Sequence, residues 1–401
     1  VANSKNYAAN ESSLSLPSDT ELIVKVLRIA KEKVTGRLKY VVVIGIGGSS
    51  LGTKAVYHAL RGYADAFPNN HPKMFFVDTT DPEYLTVLLK FLKENVRHPE
   101  EIIIHIASKS GTTTEIVANA EIVLSALKKI KHILDRVTVA TDLDSPLARA
   151  AENLHLTWMS VPPSVGGRFS VMSPVALLPL AFAKLDIKSL MKGAKDMLAA
   201  CLAPSTKNPA ALSATMLSSY ARKGKNIHDT FFFCPELIYL GDWYRQLLAE
   251  SIGKEKDLRG KIVRAGITPT TSIGSTDLHS VAQLTLGGPR DKVTTFVSTR
   301  GAATLVRVPA KKILPMLPHL ARKSAHEILR AIYHGTTASY AAHKLPFCEV
   351  FLPDVSEYSL GTFMQWKMVE VMLLGKLMKV NAFDQPNVED YKRRAHRMLG
   401  A

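Results

Sequence analysis

The sequence predicts an α/β protein of two domains, each a mainly parallel sheet flanked by helices, followed by a C-terminal helical tail. Three observations predict it. Short β-branched runs alternate with amphipathic stretches, the pattern of strands joined by crossover helices in a parallel sheet covered on both faces. The alternation occurs twice, on either side of a mostly helical stretch over residues 171–225. The length of 401 residues suits two or three domains, and 46% hydrophobic against 21% charged residues excludes a disordered chain.

The elements follow in order. Residues 1–16 are polar and expected to be loosely held. Ser18 with Glu21 reads as a capping box opening a helix that Gly36 ends. Strands are expected at Tyr40–Ile44, Met74–Val77, Ile102–Ile106, Val137–Ala140 and Thr157–Ser160. Helices fall between them at Thr53–Tyr63, Pro82–Asn95, Thr114–Lys129 and Ser145–Leu154. The second alternation has strands at Thr230–Cys234, Lys292–Val297 and Phe347–Leu352, with helices at Leu237–Ser251, Leu278–Leu286, Leu314–Tyr333 and Ser359–Met378. The expected divisions are an N-terminal segment and helix (1–36), a first α/β domain (37–190), a second (191–380) and a tail (381–401).

Composition narrows the function. The formal charge of +16 is spread among interleaved acids, and no basic run is longer than Lys392-Arg393-Arg394. Such a diffuse excess favours small anions over a nucleic-acid stripe. Three widely spaced cysteines, Cys201, Cys234 and Cys348, form no CxxC pair, which argues against structural zinc and fits a reducing compartment. The longest charge-free stretch, Phe169–Ala183, is too short to span a bilayer and contains Pro174 and Pro179. No apolar leader follows Val1, so a cytoplasmic protein is expected.

Two motifs point to an anion. Gly45-Ile46-Gly47-Gly48-Ser49-Ser50 follows the first strand directly. Glycines let backbone approach a ligand, and the next helix aims N–H groups at it. Ser50 stands where a dinucleotide fingerprint has its third glycine, and the lysine of a P-loop is missing. Ser108-Lys109-Ser110-Gly111-Thr112-Thr113-Thr114-Glu115 follows the third strand and gathers hydroxyls and one ammonium at a helix start. The plainer alternatives are a glycine-rich turn and an ordinary helix cap. Both loops lie at carboxyl ends of strands, where open α/β sheets place ligands, so a sugar-phosphate or similar monophosphate site leads.

Three further segments carry groups suited to proton transfer: Arg168 in Gly166-Gly167-Arg168-Phe169-Ser170, Glu250 in Glu250-Ser251-Ile252-Gly253-Lys254, and His279 in Ser275-Thr276-Asp277-Leu278-His279. Each alone is more often structural, and sequence does not show that they converge.

Together these segments, with Asn381-Ala382-Phe383-Asp384-Gln385 through Lys392, resemble the phosphoglucose isomerase family of compact bacterial-like type, with six motifs in family order across residues 45–392. The resemblance implies two sugar-isomerase (SIS-type) domains, no metal or organic cofactor, and a homodimer whose histidine comes from the partner. It implies interconversion of glucose 6-phosphate and fructose 6-phosphate through a cis-enediol(ate). Glu250 would be the base and His279 would assist ring opening. Lys392 would act at the ring-opening oxygens, and Arg168 would stabilise the enediolate. Ser49, Ser108, Lys109, Ser110 and Thr113 would hold the phosphate or neighbouring sugar atoms, with Gly48, Glu115 and Gln385 lining the site. Phe169, Ile252, Leu278 and Pro386-Asn387 depart from the common family residues without removing a reacting group. A sugar-phosphate sensor would not need Glu250, His279 and Lys392. A nicotinamide enzyme is disfavoured by Ser50. A related isomerase that also accepts mannose 6-phosphate remains open, because C2 specificity depends on pocket shape.

Overall fold

The structure is a computed structural model that describes residues 7–67, 71–300, 306–311, 313–314 and 316–400. The first half contains α1 (Thr20–Lys33), β1 (Tyr40–Ile44), α2 (Leu51–Arg61), β2 (Lys73–Val77), α3 (Pro82–Asn95), β3 (Ile102–Ala107), α4 (Thr114–Leu127), β4 (Val137–Thr141), α5 (Pro146–Asn153), β5 (Thr157–Ser160) and α6 (Pro174–Phe182). Its strands form one parallel sheet in the order β2-β1-β3-β4-β5. Because side chains alternate across a strand, Val41 and Val43 enter one core cluster while Val42 and Ile44 enter another on the opposite face. Burial on both faces explains the unbroken apolar runs that mark these strands in sequence.

Helices α7 (Ile187–Leu202) and α8 (Pro209–Arg222) lead to β6 (Ile227–Phe232) and α9 (Ile238–Ile252). Then come the antiparallel hairpin β7 (Lys254–Lys256) and β8 (Ile262–Ala265), β9 (Thr268–Ile273), α10 (Ala282–Gly287), β10 (Lys292–Thr299), α11 (Ala325–Ala342), β11 (Phe347–Leu352), α12 (Glu357–Met378) and α13 (Glu389–Met398). The second sheet runs β11-β10-β6-β9, again parallel. One buried cluster joins the halves, from Val41 and Tyr57 through Leu240 and Leu247 of α9 to Phe363 of α12. Among the described residues no helix is long and apolar enough to cross a membrane.

Several expectations change. The described part of the N-terminal segment is not loose: Asn10–Ser18 forms a 3₁₀ helix that buries Leu14 and Leu16 in the core, while residues 1–6 lie outside the described residues. Ser18 does not cap α1. Asp19 does, its carboxylate accepting from the Leu22 amide at 2.9 Å and from the Tyr7 hydroxyl at 2.6 Å. That helix ends at Lys33, before Gly36. The helix expected from Leu314 begins at Ala325, because Pro318 interrupts the earlier stretch and Ser324 with Glu327 forms a true capping box. The helix expected over Leu278–Leu286 is a 3₁₀ turn, Thr276–His279, followed by α10. The strand expected at Thr230–Cys234 starts earlier and ends at Phe232. The division expected between residues 190 and 191 falls inside α7.

Two elements lack the continuous apolar run that marks the other strands. Strand β9, Thr-Pro-Thr-Thr-Ser-Ile, is a polar edge strand, where Pro269 is tolerated. Its Thr270 and Ser272 hydroxyls donate to buried Asp229 of β6 at 2.7 and 3.0 Å. Burial raises the Asp229 pKa, and those two hydroxyls oppose the rise. The hairpin β7–β8 is charged and exposed at most positions.

Helices α7 and α12 approach so closely that a Cβ on Gly193 would lie 2.0 Å from the Tyr358 carbonyl oxygen, and one on Gly361 would lie 2.0 Å from that of Leu190. Backbone on the receiving side cannot yield cheaply. Gly193→Ala and Gly361→Ala are each expected to destabilise the fold by about 1–3 kcal/mol, as overpacking does. The double variant should lose less than the sum, since one separation of the helices relieves both clashes. Urea unfolding of the three variants checks this.

Candidate active site

The two hydroxyl-bearing loops converge because β1 and β3 are adjacent strands. The strand order reverses between them, with β2 on one side of β1 and β3 on the other. After β1, a 3₁₀ turn at Gly47–Ser49 leads into α2. Gly47 has φ +56°, a conformation that glycine takes without strain. A Cβ on Gly48 would meet the Gly167 carbonyl carbon at 2.2 Å and the Arg168 amide nitrogen at 2.5 Å. The first loop therefore sits directly on the 3₁₀ turn Gly167–Met172 that carries Arg168, and the Ser170 hydroxyl donates to the Gly48 carbonyl at 3.2 Å. Half-buried Ser49 ends the Gly47–Ser49 turn of the first loop.

After β3, Gly111 at φ +72° folds the second loop back on itself. Its amide donates to the buried Ser108 hydroxyl at 3.1 Å, and the Ser108 and Thr113 hydroxyls lie 3.2 Å apart. Ser110 reaches Thr113 at 3.5 Å. Thr113 is the N-cap of α4, yet its side chain makes no capping hydrogen bond, which leaves the first amides of the helix to another acceptor. Lys109 donates to the Pro163 carbonyl at 2.5 Å, and half-buried Glu115 stands in the first turn of α4.

Beside the first loop is the charged centre. Arg168 is 2% exposed. Its Nε donates to the Ser251 hydroxyl at 3.0 Å, and its Nη1 to Glu250 Oε2 at 3.3 Å and Gln385 Oε1 at 2.6 Å. Its Nη2 donates to the carbonyls of Ala382 at 2.6 Å and Asp384 at 3.1 Å. Burial lowers the Arg168 pKa, and the negative charges of Glu250 and Asp384 oppose that shift. Glu250 lies in the last turn of α9, and its other oxygen accepts from Gln246 at 2.9 Å. Lys254, also buried, donates to the Glu250 carbonyl at 2.7 Å and to the Asp384 carbonyl and carboxylate at 2.5 and 3.1 Å. Burial lowers its pKa, Asp384 opposes this, and the Arg168 charge adds to it.

The remaining two expected residues stand apart. His279 is exposed at the end of its 3₁₀ turn after β9, and among the described residues no hydrogen bond or ion pair ties it to Glu250. Asp277 staples that turn, accepting from the Ile273 amide and the Ser280 hydroxyl, both at 2.7 Å. Lys392 lies on α13 and donates to Glu389 at 2.7 Å. One turn further, His396 is 3.4 Å from the Thr114 hydroxyl, so α13 runs beside the second loop.

Sequence reasoning missed Gln246, Ser251, Lys254 and Asp384 as parts of this centre. Gln246 was legible as the residue one helical turn before Glu250. The others flank residues already singled out, but only the fold brings residues 168, 250 and 384 together. Among the described residues no group of three or more His, Cys, Asp or Glu side chains could hold a metal ion.

A family model described as phosphoglucose isomerase matches residues 28–400. The chain belongs to the phosphoglucose isomerase family. It is 34% identical to a glucose-6-phosphate isomerase of Carboxydothermus hydrogenoformans over 95% of this chain and 82% of that one. It is 32% identical to a glucose-6-phosphate isomerase of Methanocaldococcus jannaschii over 92% and 86%. Its fold is similar to that of a Thermus thermophilus protein described as hypothetical, with a TM-score of 0.90, 32% identity and coverage of 100% and 92%. A tagatose-6-phosphate ketose/aldose isomerase of Escherichia coli shares the fold alone, with a TM-score of 0.54 and 11% identity over 94% and 92%. The two parallel sheets flanked by helices are thus the architecture of phosphoglucose isomerase and the SIS-type sugar isomerases.

In this phosphoglucose isomerase scaffold Lys254 is what ties the end of the Glu250 helix to the tail segment that also receives Arg168. Lys254→Met is expected to remove those charge-assisted bonds and speed amide exchange at residues 382–385 by about tenfold or more. Lys254→Arg should retain most of the protection. Hydrogen-exchange mass spectrometry checks both, and equal protection in wild type and Lys254→Met would deny Lys254 this role.

Proposed function

We propose that the chain interconverts glucose 6-phosphate and fructose 6-phosphate by acid–base chemistry at Glu250, with Arg168 as the fixed positive charge. The observation that carries this reading is the placement of one carboxylate and one buried guanidinium, 3.3 Å apart, beside two hydroxyl-bearing loops at the sheet's switch point. The sugar phosphate's anionic end is assigned to Ser49, Ser108, Lys109, Ser110 and Thr113, whose hydroxyls, ammonium and neighbouring amides are all donors. Gly48 admits the sugar close to the backbone, while Glu115 and Gln385 line its path.

In the forward direction Glu250 takes the C2 proton of the opened aldose, and the electrons left on C2 form the enediolate as the C1 carbonyl becomes an oxyanion. Arg168 stabilises that oxygen, since a guanidinium stays protonated and needs no reorganisation. The C2 hydroxyl proton passes to the C1 oxyanion, the C2 oxygen re-forms a carbonyl, and the same carboxylate returns its proton to C1, which leaves a ketone at C2 and a hydroxyl at C1. Gln246 and Arg168 hold one carboxylate oxygen each, which orients the base. Phosphate binding supplies a remote handle that holds the reacting carbons in place. No step calls for a metal or an organic cofactor.

Ring opening is assigned to His279 and Lys392. The exposure of His279 supports its delivery to the site of a second copy of the chain, in a two-fold homodimer. The approach of α13 to Thr114 supports Lys392 acting near the second loop. The same reading makes this a cytoplasmic enzyme of glycolysis and gluconeogenesis. It divides the chain into an N-terminal segment and helix, two SIS-type domains meeting at the turn before α7, and a C-terminal tail from residue 381.

Glu250→Gln keeps the shape but not the proton acceptor, and is expected to lower kcat by about 10²–10⁴ with little change in inhibition by inorganic phosphate. A coupled assay of fructose 6-phosphate conversion measures it, and activity within tenfold of wild type would sink the assignment. For the dimer, Glu250→Gln and His279→Ala homodimers should each be inactive. After subunit exchange, random pairing should restore roughly a quarter of wild-type activity, since half the dimers are mixed and each has one intact site. Exchange verified by differently tagged subunits but without recovery would mean that both groups act within one chain.

A further inference from the structure

The second sheet repeats the topology that creates the first site. In the first, β2 lies on one side of β1 and β3 on the other; in the second, β9 lies on one side of β6 and β10 on the other. The order therefore reverses between β6 and β10, where a second crevice belongs at the carboxyl ends of the strands. A cavity of about 510 Å³ occupies that place, walled by Phe233–Glu236 after β6, Ser298 and Thr299 at the end of β10, the end of β11, and one face of α11.

Its chemistry differs from that of the first crevice. The loop after β6, Phe233-Cys234-Pro235-Glu236, has no glycine, and Pro235 has no amide to offer an anion. Donors come instead from α11, with Arg330 as the fixed positive charge. His326, Arg330 and His334 recur every fourth residue on one helical face and line the cavity. Among the described residues none of the three side chains has a hydrogen bond or ion pair. Two acids also line the cavity: Glu349, which accepts from the Tyr333 hydroxyl, and Glu236 in the loop after β6. On the α11 face one guanidinium and two imidazoles are thus left to a ligand. The apolar wall is aromatic: Phe233 and Tyr333 pack edge to face at 4.9 Å, and Phe351 is 57% exposed on the edge strand.

We propose that this crevice binds a small aromatic anion, its flat ring against Phe351 and its carboxylate or phosphate at Arg330 with the two imidazoles. A volume of this size accommodates a molecule as large as a nucleoside monophosphate. The site shares no residue with the Glu250–Arg168 centre, so it does not depend on the proposed isomerase activity.

Calorimetric titration of the full chain, with fructose 6-phosphate saturating the first site, tests the proposal. Adenosine monophosphate and 4-hydroxybenzoate are the two probes, and inorganic phosphate is the control. At least one probe is expected to bind with Kd of about 1 mM or tighter, and inorganic phosphate at least tenfold more weakly. Binding of the nucleotide alone would assign the site to aryl phosphates, and of the benzoate alone to aromatic carboxylates. Arg330→Gln should weaken binding about tenfold or more by removing a charge-assisted contact. Phe351→Ala should weaken it independently, and serves should Arg330→Gln fold poorly. Both variants should keep wild-type isomerase rates. Binding of neither probe, binding as tight for inorganic phosphate, or affinities unchanged in both variants would overturn the proposal.

Discussion

Everything at the candidate active site depends on one buried guanidinium. Arg168 is almost without solvent, and leaving its donors unpaired there would cost several kcal/mol. The chain satisfies them from two distant segments: the end of α9, which supplies the Ser251 hydroxyl and the carboxylate of the candidate base Glu250, and the tail at residues 382–385. The first loop closes the arrangement, because Gly48 allows its backbone to rest on Gly167 and Arg168. A burial that would be unfavourable in isolation thereby becomes the reason that segments remote in sequence meet. Lys254 repeats the device one turn away, joining the Glu250 carbonyl to Asp384.

The helices that support this centre meet a similar demand. Within α12, Lys367 and Glu370 form a buried ion pair at 2.8 Å. Glu370 also accepts from the Tyr244 hydroxyl at 2.6 Å, and that hydroxyl lies 3.3 Å from His228 of β6. Lys367 is stacked over the rings of Trp366 and Tyr244 at 4.0 and 4.5 Å. Buried pairs add little net stability compared with apolar packing, but a misregistered helix would strand a charge. Tyr244 and Glu250 both belong to α9, so the network holds the helix that presents the carboxylate.

In the proposed reading, the site separates binding from chemistry along the chain's elements. Hydroxyls and helix amides gather at the ends of β1 and β3, where an anion requires many donors and little desolvated charge. The full charges of Arg168 and Lys254 are buried, where low polarity strengthens each interaction, while the Glu250 carboxylate beside them keeps 30% of its exposure. His279 is the exception, exposed on a turn held by Asp277 rather than by its own contacts.

The sequence alone determined whatever local chemistry or periodicity encodes. Strands β1 and β3 are continuous apolar runs because both faces are buried, and α3 has the expected ends because Asp81 and Pro82 start it. The glycine- and hydroxyl-rich loops after β1 and β3, and the segments that carry Arg168, Glu250 and His279, were legible as motifs for the same reason. Tertiary structure decided the rest. Polar β9 is a strand only because Asp229 of β6 takes its hydroxyls, and the edge of a sheet tolerates its proline. The residues before α1 look unstructured until Leu14 and Leu16 find the core. Gln246, Lys254 and Asp384 belong to the centre because buried donors and acceptors must be paired, and no spacing in the chain announces which partners will be near.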